Sequence, residues 1–217
     1  GGLREPGGLR EPAARLAGDA GVTRVIAGAA GGRRLAVPAG RLTRPTSDRA
    51  REGLFGTLVA LHGPLDGACV LDLYAGSGAV GLEALSRGAR RALFVEADAR
   101  AARVIRGNIE AVGLSGAELV TDRVGRLLSR GPAGPDRYDL AVADPPYAVT
   151  GDEVTGMLAA LAGGGWLAPG AVVAVERATR SGPVSWPPGY APDRSRRYGD
   201  TTFWYGLAAG APSAEAP

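Results

Sequence analysis

The sequence predicts an α/β fold. The expected core is a mostly parallel, Rossmann-like sheet with helices on both faces and a late antiparallel strand, carrying a small N-terminal β-hairpin/helix extension. Three observations carry that prediction. Short apolar runs alternate with segments of helical periodicity from Val70 onward, the pattern of strands covered on both faces. The first run leads directly into a glycine-rich turn, Gly76-Ser77-Gly78-Ala79-Val80-Gly81, where a helix begins. Four acids, Asp72, Glu96, Asp122 and Asp144, stand at or near strand ends, the edge at which parallel sheets bind ligands.

The elements follow in order. Residues 1–12 are GGLREP written twice, too short and too rich in Gly and Pro for a core, so 1–21 is expected to be a flexible repeated tail. Thr23 to Pro38 reads as strand, turn, strand: Arg24 to Ala27, a turn supplied by Gly28, Gly31 and Gly32, then Arg33 to Val37. Thr46 or Ser47 caps a helix with Asp48 in its first turn, and Ala50, Leu54, Leu58 and Leu61 recur at helical spacing. The region 22–64 is therefore a hairpin and helix, and 65–207 a second unit. There, strands are expected at Val70 to Leu73, Ala92 to Glu96, Glu118 to Asp122, Tyr138 to Asp144, Ala171 to Glu176 and Thr201 to Leu207. Helices are expected at Ala79 to Arg87, Ala99 to Val112 and Asp152 to Leu161. The Ala/Pro/Gly-rich end, 208–217, is expected to fray.

Composition narrows the classes. A chain of 217 residues can bury a core without disulfides, and its single cysteine, Cys69, excludes an intrachain disulfide and a multi-cysteine metal site. That cysteine suits a strand core and a reducing cytoplasm, and no metal is expected. No apolar run reaches membrane-spanning length and no secretory signal is recognisable, so a cytoplasmic protein without membrane contact is expected, as a monomer. His62, beside Gly63-Pro64 at a helix end, is expected at the surface. The net charge is only +3, but between Arg24 and Arg51 there are seven arginines and one acid, Asp48, a local excess suited to phosphates. A basic face that merely stays solvated is the plainer alternative.

The glycine turn has two readings. Gly76-x-Gly78-x-x-Gly81 with Glu96 beyond it matches a dinucleotide fingerprint, which points to an NAD(P)-dependent oxidoreductase. Asp72 argues otherwise: at the strand end it would oppose a pyrophosphate but suit the cationic amine of S-adenosylmethionine. On that reading Asp72, Tyr74, Ala75, Gly76, Ser77 and Gly78 line the cofactor, Glu96 and the adjoining Ala97 meet the ribose, and Asp122 with the Arg123 amide meets the adenine edge. A helix N-cap is the alternative role for Asp122.

The tetrapeptide Asp144-Pro145-Pro146-Tyr147 supplies the chemistry. An aryl amine is a weak nucleophile because its lone pair is delocalised. A carboxylate and a backbone carbonyl that accept its N–H groups favour a pyramidal nitrogen, and Asp144 with the Pro145 carbonyl suit that task. Consecutive prolines preorganise the acceptors, and Tyr147 can stack on a base.

These segments resemble the RsmD family of bacterial methyltransferases. The resemblance rests on Arg44-Pro-Thr-Ser-Asp48-Arg49-Ala-Arg51-Glu52-Gly-Leu-Phe55, on Asp72 to Gly88, on Asp144 to Tyr147, and on the hairpin around Gly31-Gly32-Arg33-Arg34-Leu35; it runs from about Thr23 to Leu207. It implies a Rossmann-like S-adenosylmethionine-dependent methyltransferase fold and methylation of a guanine N2 amino group in 16S ribosomal RNA, on an assembled or nearly assembled small ribosomal subunit. It also implies RNA contacts from the N-terminal region, with Arg33, Arg34, Arg44, Thr46, Arg49 and Arg51 as candidates. The open alternatives are an amino-methyltransferase acting on another RNA or DNA base, one acting on protein glutamine, the oxidoreductase, and a non-catalytic RNA-binding protein.

Overall fold

In the computed structural model the described residues are 22–39 and 47–209. The repeated tail, the end of the chain beyond 209, Arg44 and the alternative cap Thr46 lie outside them. A two-stranded hairpin comes first, β1 (Val22–Arg24) antiparallel to β2 (Arg34–Ala36). The helix α1 (Asp48–His62) follows, capped by the Ser47 hydroxyl, which accepts the Ala50 amide. Then strand and helix alternate: β3 (Cys69–Leu73), α2 (Ala79–Ser86), β4 (Arg91–Val95), α3 (Ala99–Val112), β5 (Ala117–Val120), α4 (Val124–Leu128), β6 (Tyr138–Ala143), α5 (Gly151–Gly163) and β7 (Leu167–Ala178). A 3-10 turn (Thr179–Ser181), β8 (Tyr190–Tyr198) and β9 (Thr201–Ala208) complete the order.

The strands form one seven-stranded sheet in the order β5-β4-β3-β6-β7-β9-β8. The five from β5 to β7 are parallel, and β9 runs antiparallel between β7 and β8. The chain leaves β3 toward β4 on one side and returns to β6 on the other, so the topological switch point lies at the end of β3. Alternation along the strands divides the core. Val70, Phe94, Leu140, Val142, Phe203 and Tyr205 face α1, α2, α3 and the hairpin, while Cys69, Leu71, Leu73, Leu93, Val173 and Val175 face α4 and α5. Cys69 is thus a core residue, 2% exposed.

Two elements depart from the sequence expectation by presence. β8 carries an almost wholly exposed run, Ala191 to Arg197, with Pro192 and a register shift, so it offers no apolar alternation to read. α4 is a single short turn of helix between Arg123 and Ser129. His62, expected at the surface, is half-buried, with Nδ1 enclosed and without a hydrogen-bond partner among the described residues. No helix among the described residues is long and apolar enough to cross a membrane.

Candidate active site

The sheet register sets the site. Leu73 pairs with Val95 on one side and with Ala143 on the other, so Tyr74, Glu96 and Asp144 each stand one residue past the same row at the carboxyl edge. The glycine loop leaves β3 at that edge and the tetrapeptide leaves β6 beside it.

The glycine loop is held from beneath by buried polar groups. Asp72, 3% exposed, reaches over the loop and its Oδ2 accepts the Gly81 amide at 3.0 Å, in the first turn of α2. An acid at a helix N-terminus is favoured by the helix dipole. Glu96, 4% exposed, accepts the Gly76 amide on Oε2 at 2.9 Å and the Asp98 amide on Oε1 at 2.9 Å. The Gly78 amide donates to the Ala75 carbonyl at 2.7 Å. The Gly76 and Gly78 amides therefore point inward and are consumed in shaping the loop. Gly81 serves packing, since a Cβ there would come within 2.3 Å of the Phe94 ring.

Tyr74 sits at the turn in the left-handed region, φ 61°, a conformation uncommon for a side-chain-bearing residue. Burial, and then the nearby Glu153 carboxylate, push its phenol above the usual range. Ser77, within the loop, is half-buried, and Ala97, one residue past Glu96, is exposed. Asp122 is engaged locally: its Oδ1 accepts the Arg123 amide at 2.7 Å, and its carboxylate pairs with Arg126 at 3.5 Å and Arg130 at 3.2 Å. The two groups expected at an adenine edge are thus bonded to one another here, at the entry to α4.

The tetrapeptide is held differently. The Asp144 amide meets the Leu73 carbonyl at 3.3 Å, and the Val149 amide closes a turn onto the Pro146 carbonyl at 2.9 Å. Thr150 and Glu153 form a capping box that starts α5 immediately afterward, and the two bonds from Thr150 hold the Glu153 carboxyl below its usual range. Pro145 is buried, while Asp144, Pro146 and Tyr147 are exposed. Two arginines support this turn, Arg177 on β7 and Arg180 in the 3-10 turn after it, neither of them anticipated. Arg177 Nη1 donates to the Val149 carbonyl at 2.9 Å, and the Arg180 guanidinium lies 5.8 Å from the centre of the Tyr147 ring.

The N-terminal arginines separate. Arg34 and Arg49 are exposed. Arg33 is exposed but committed at one end, its Nη1 donating to the Ala111 and Val112 carbonyls at 2.9 and 3.1 Å, where the negative end of the α3 dipole attracts it. Arg51 is a correction: it is 1% exposed and faces inward on α1. It donates to Thr23 Oγ1 and the Arg24 carbonyl, pairs with Asp48 at 3.1 Å, and lies 4.0 Å from Glu83. A cation so enclosed is structural and does not meet RNA phosphates in this conformation.

Glu83 and Asn108 were not anticipated either. Glu83, 0% exposed, accepts the Ile26 and Ala27 amides at 2.6 and 3.0 Å and pairs with Arg87 at 2.7 Å. Both are polar residues on otherwise apolar helix stripes, which is the signal that could have found them. Among the described residues no group of three or more His, Cys, Asp or Glu is placed to hold a metal ion.

The family described as conserved hypothetical protein 95 matches residues 23–206. The chain is 33% identical to ribosomal RNA small subunit methyltransferase D of Escherichia coli, over 84% of this chain and 88% of that protein. It is 37% identical to the Bacillus subtilis protein YlbH over 57% of this chain, spanning 66% of that relative's length. Among solved structures it resembles the Escherichia coli protein yhhF with a TM-score of 0.76 and 29% identity, covering 88% of this chain and 100% of that one.

Proposed function

This chain belongs to the RsmD family, and from that premise we propose that it transfers a methyl group from S-adenosylmethionine to the N2 amino group of a guanine in 16S ribosomal RNA. The observation that carries the reading is the juxtaposition at the switch point: the glycine loop and Asp144-Pro-Pro-Tyr147 leave neighbouring strands whose last residues, Leu73 and Ala143, are paired.

The residues present fit S-adenosylmethionine better than a dinucleotide. The Asp72 carboxylate sits on the Gly81 amide, within the helix N-terminus that a pyrophosphate would otherwise use, and its charge would repel one. The same acid, with Glu96, suits a cationic ligand carrying an amine and ribose hydroxyls. Asp72, Tyr74 to Gly78, Glu96 and Ala97 would hold it. Asp122 and Arg123 would join them on exchanging their mutual bond.

When bound, S-adenosylmethionine supplies an electrophilic methyl group on a sulfonium. The protein's part is to present the nucleophile. The Asp144 carboxylate and the Pro145 carbonyl accept the two N–H bonds of the guanine amine and orient its lone pair. Tyr147, backed by Arg180, stacks on the base. The nitrogen becomes acidic on alkylation and gives its proton to Asp144 or water, so a strong base is not needed. Alignment of amine and methyl supplies much of the rate. The exposed Arg34 and Arg49, with Arg33, offer phosphate contacts on the assembled small subunit.

The test is methyl transfer from labelled S-adenosylmethionine to small ribosomal subunits from a strain lacking this protein, followed by nuclease digestion. N2-methylguanosine is the expected product. A different methylated nucleoside, or no incorporation while the cofactor binds, overturns the substrate.

A further inference from the structure

Asn108 lies on α3 in line with Ala101, Ile105 and Val112, and is 4% exposed. A primary amide in such a stripe is costly unless its hydrogen bonds are made. They are made to two distant segments. Oδ1 accepts the Ala36 amide at 2.9 Å, and Nδ2 donates to the Ala36 carbonyl at 2.9 Å. The side chain thus pairs with Ala36 as a neighbouring strand would, on β2 of the N-terminal hairpin. The remaining N–H of the same nitrogen donates to the Ser77 carbonyl at 2.8 Å, in the middle of the glycine loop.

The bond to Ser77 fixes a peptide plane. The other end of that plane is the Gly78 amide, already committed to the Ala75 carbonyl at 2.7 Å. Beneath Gly78 lie Ile105, from the turn of α3 that precedes Asn108, and Phe94, each 3.3 Å from where a Cβ would stand. The loop therefore rests on α3 by packing and by this polar contact. The hairpin rests on the same helix through Asn108 and through Arg33 at its C-terminus.

We propose that Asn108 is a positioning residue for methyl transfer, one amide that sets the cofactor loop and the N-terminal RNA-facing hairpin in a common register, so that the affinity for each substrate depends on it. The inference rests on the reading under Proposed function. The sequence separation explains why such a side chain is needed: Ala36 and Ser77 belong to different units of the fold and share no backbone bond, and Asn108 is the donor common to both.

The test compares the unaltered protein with Asn108→Ser and Asn108→Asp. Aspartate keeps the acceptor for the Ala36 amide and loses both donated bonds. Dissociation constants for S-adenosylmethionine and for small ribosomal subunits are measured well below the melting temperature. Leaving the Ser77 and Ala36 carbonyls unpaired should raise both constants by about tenfold. A purely structural role lowers the melting temperature and leaves both constants within twofold, and that result, or movement of only one of them, overturns the proposal. If neither variant folds, amide exchange in the unaltered protein decides. Saturation with S-adenosylhomocysteine should slow exchange at Ala36, in the hairpin, by several-fold, and unchanged exchange overturns the proposal. Failure of the unaltered protein to bind either cofactor form would instead sink the methyltransferase reading, and this inference with it.

Discussion

At the glycine loop the candidate cofactor acids are enclosed: Asp72 and Glu96 are nearly inaccessible, and both hold backbone amides of the loop or the helix turn beside it. At the tetrapeptide, one strand away, Asp144 and Pro146 are exposed and Tyr147 is 59% exposed, held by one cation–ring contact. On the proposed reading, the first half would be completed by folding, because a small ligand of constant shape can be met by a prebuilt surface. On the same reading, the second half is a stiff ledge whose opposite wall would be the substrate itself. Cofactor binding should therefore respond to changes in the core, and catalysis to changes on the ledge.

Substitutions can break that contrast or sharpen it. Asp144→Ala should produce the largest effect, lowering kcat by about 10²–10³-fold while the S-adenosylmethionine dissociation constant stays within a few-fold; transfer assays and calorimetry on the same sample read both. A parallel collapse of cofactor affinity would show the halves to be one unit. Glu83→Ala leaves Arg51 and two hairpin amides without their buried carboxylate, and should cost about 3–5 kcal/mol in urea unfolding. Tyr147→Ala should weaken subunit binding by about 1–3 kcal/mol, seen as a raised KM, with the melting temperature unmoved. The smallest effect is on pH dependence. Burial pushes the Tyr138 phenol up to about 12, so the folded chain keeps a proton that the unfolded chain loses near pH 10. Stability from this group is complete below pH 10 and is lost as pH rises toward 12. Melting temperatures across that range should fall more steeply for the native chain than for Tyr138→Phe.

Much of the architecture is legible in the sequence where burial is one-sided and periodic. α3 coincides with its predicted span, Ala99–Val112, because its apolar stripe and the Asp98 cap mark both face and start. The hairpin forms about its glycines, but its first strand, Val22–Arg24, shares only Arg24 with the expected Arg24 to Ala27, since the Ile26 and Ala27 amides go to the Glu83 carboxylate and not to a partner strand. β8 is illegible because an exposed strand needs no apolar pattern. In the candidate site, the loop, its acids Asp72 and Glu96, and the tetrapeptide stand out in the sequence, whereas Asn108, Arg177 and Arg180, which support them, do not. Arg51 looks like part of a basic surface until Glu83, 32 positions away, is seen beneath it. Local charge density cannot report a pairing that only the tertiary fold creates.

The outer strand β8 has a consequence for how this protein lives at high concentration. A sheet that ends in an open strand offers unpaired backbone groups to any other chain, the usual route to edge-to-edge aggregation. Here that strand carries Pro192, which lacks a donor, Asp193, and the arginines 194, 196 and 197, all exposed. A second copy approaching along this edge meets like charge and a break in hydrogen bonding before it can extend the ladder. The residues that make β8 invisible to pattern reading are thus those that disfavour the addition of an eighth strand at this edge.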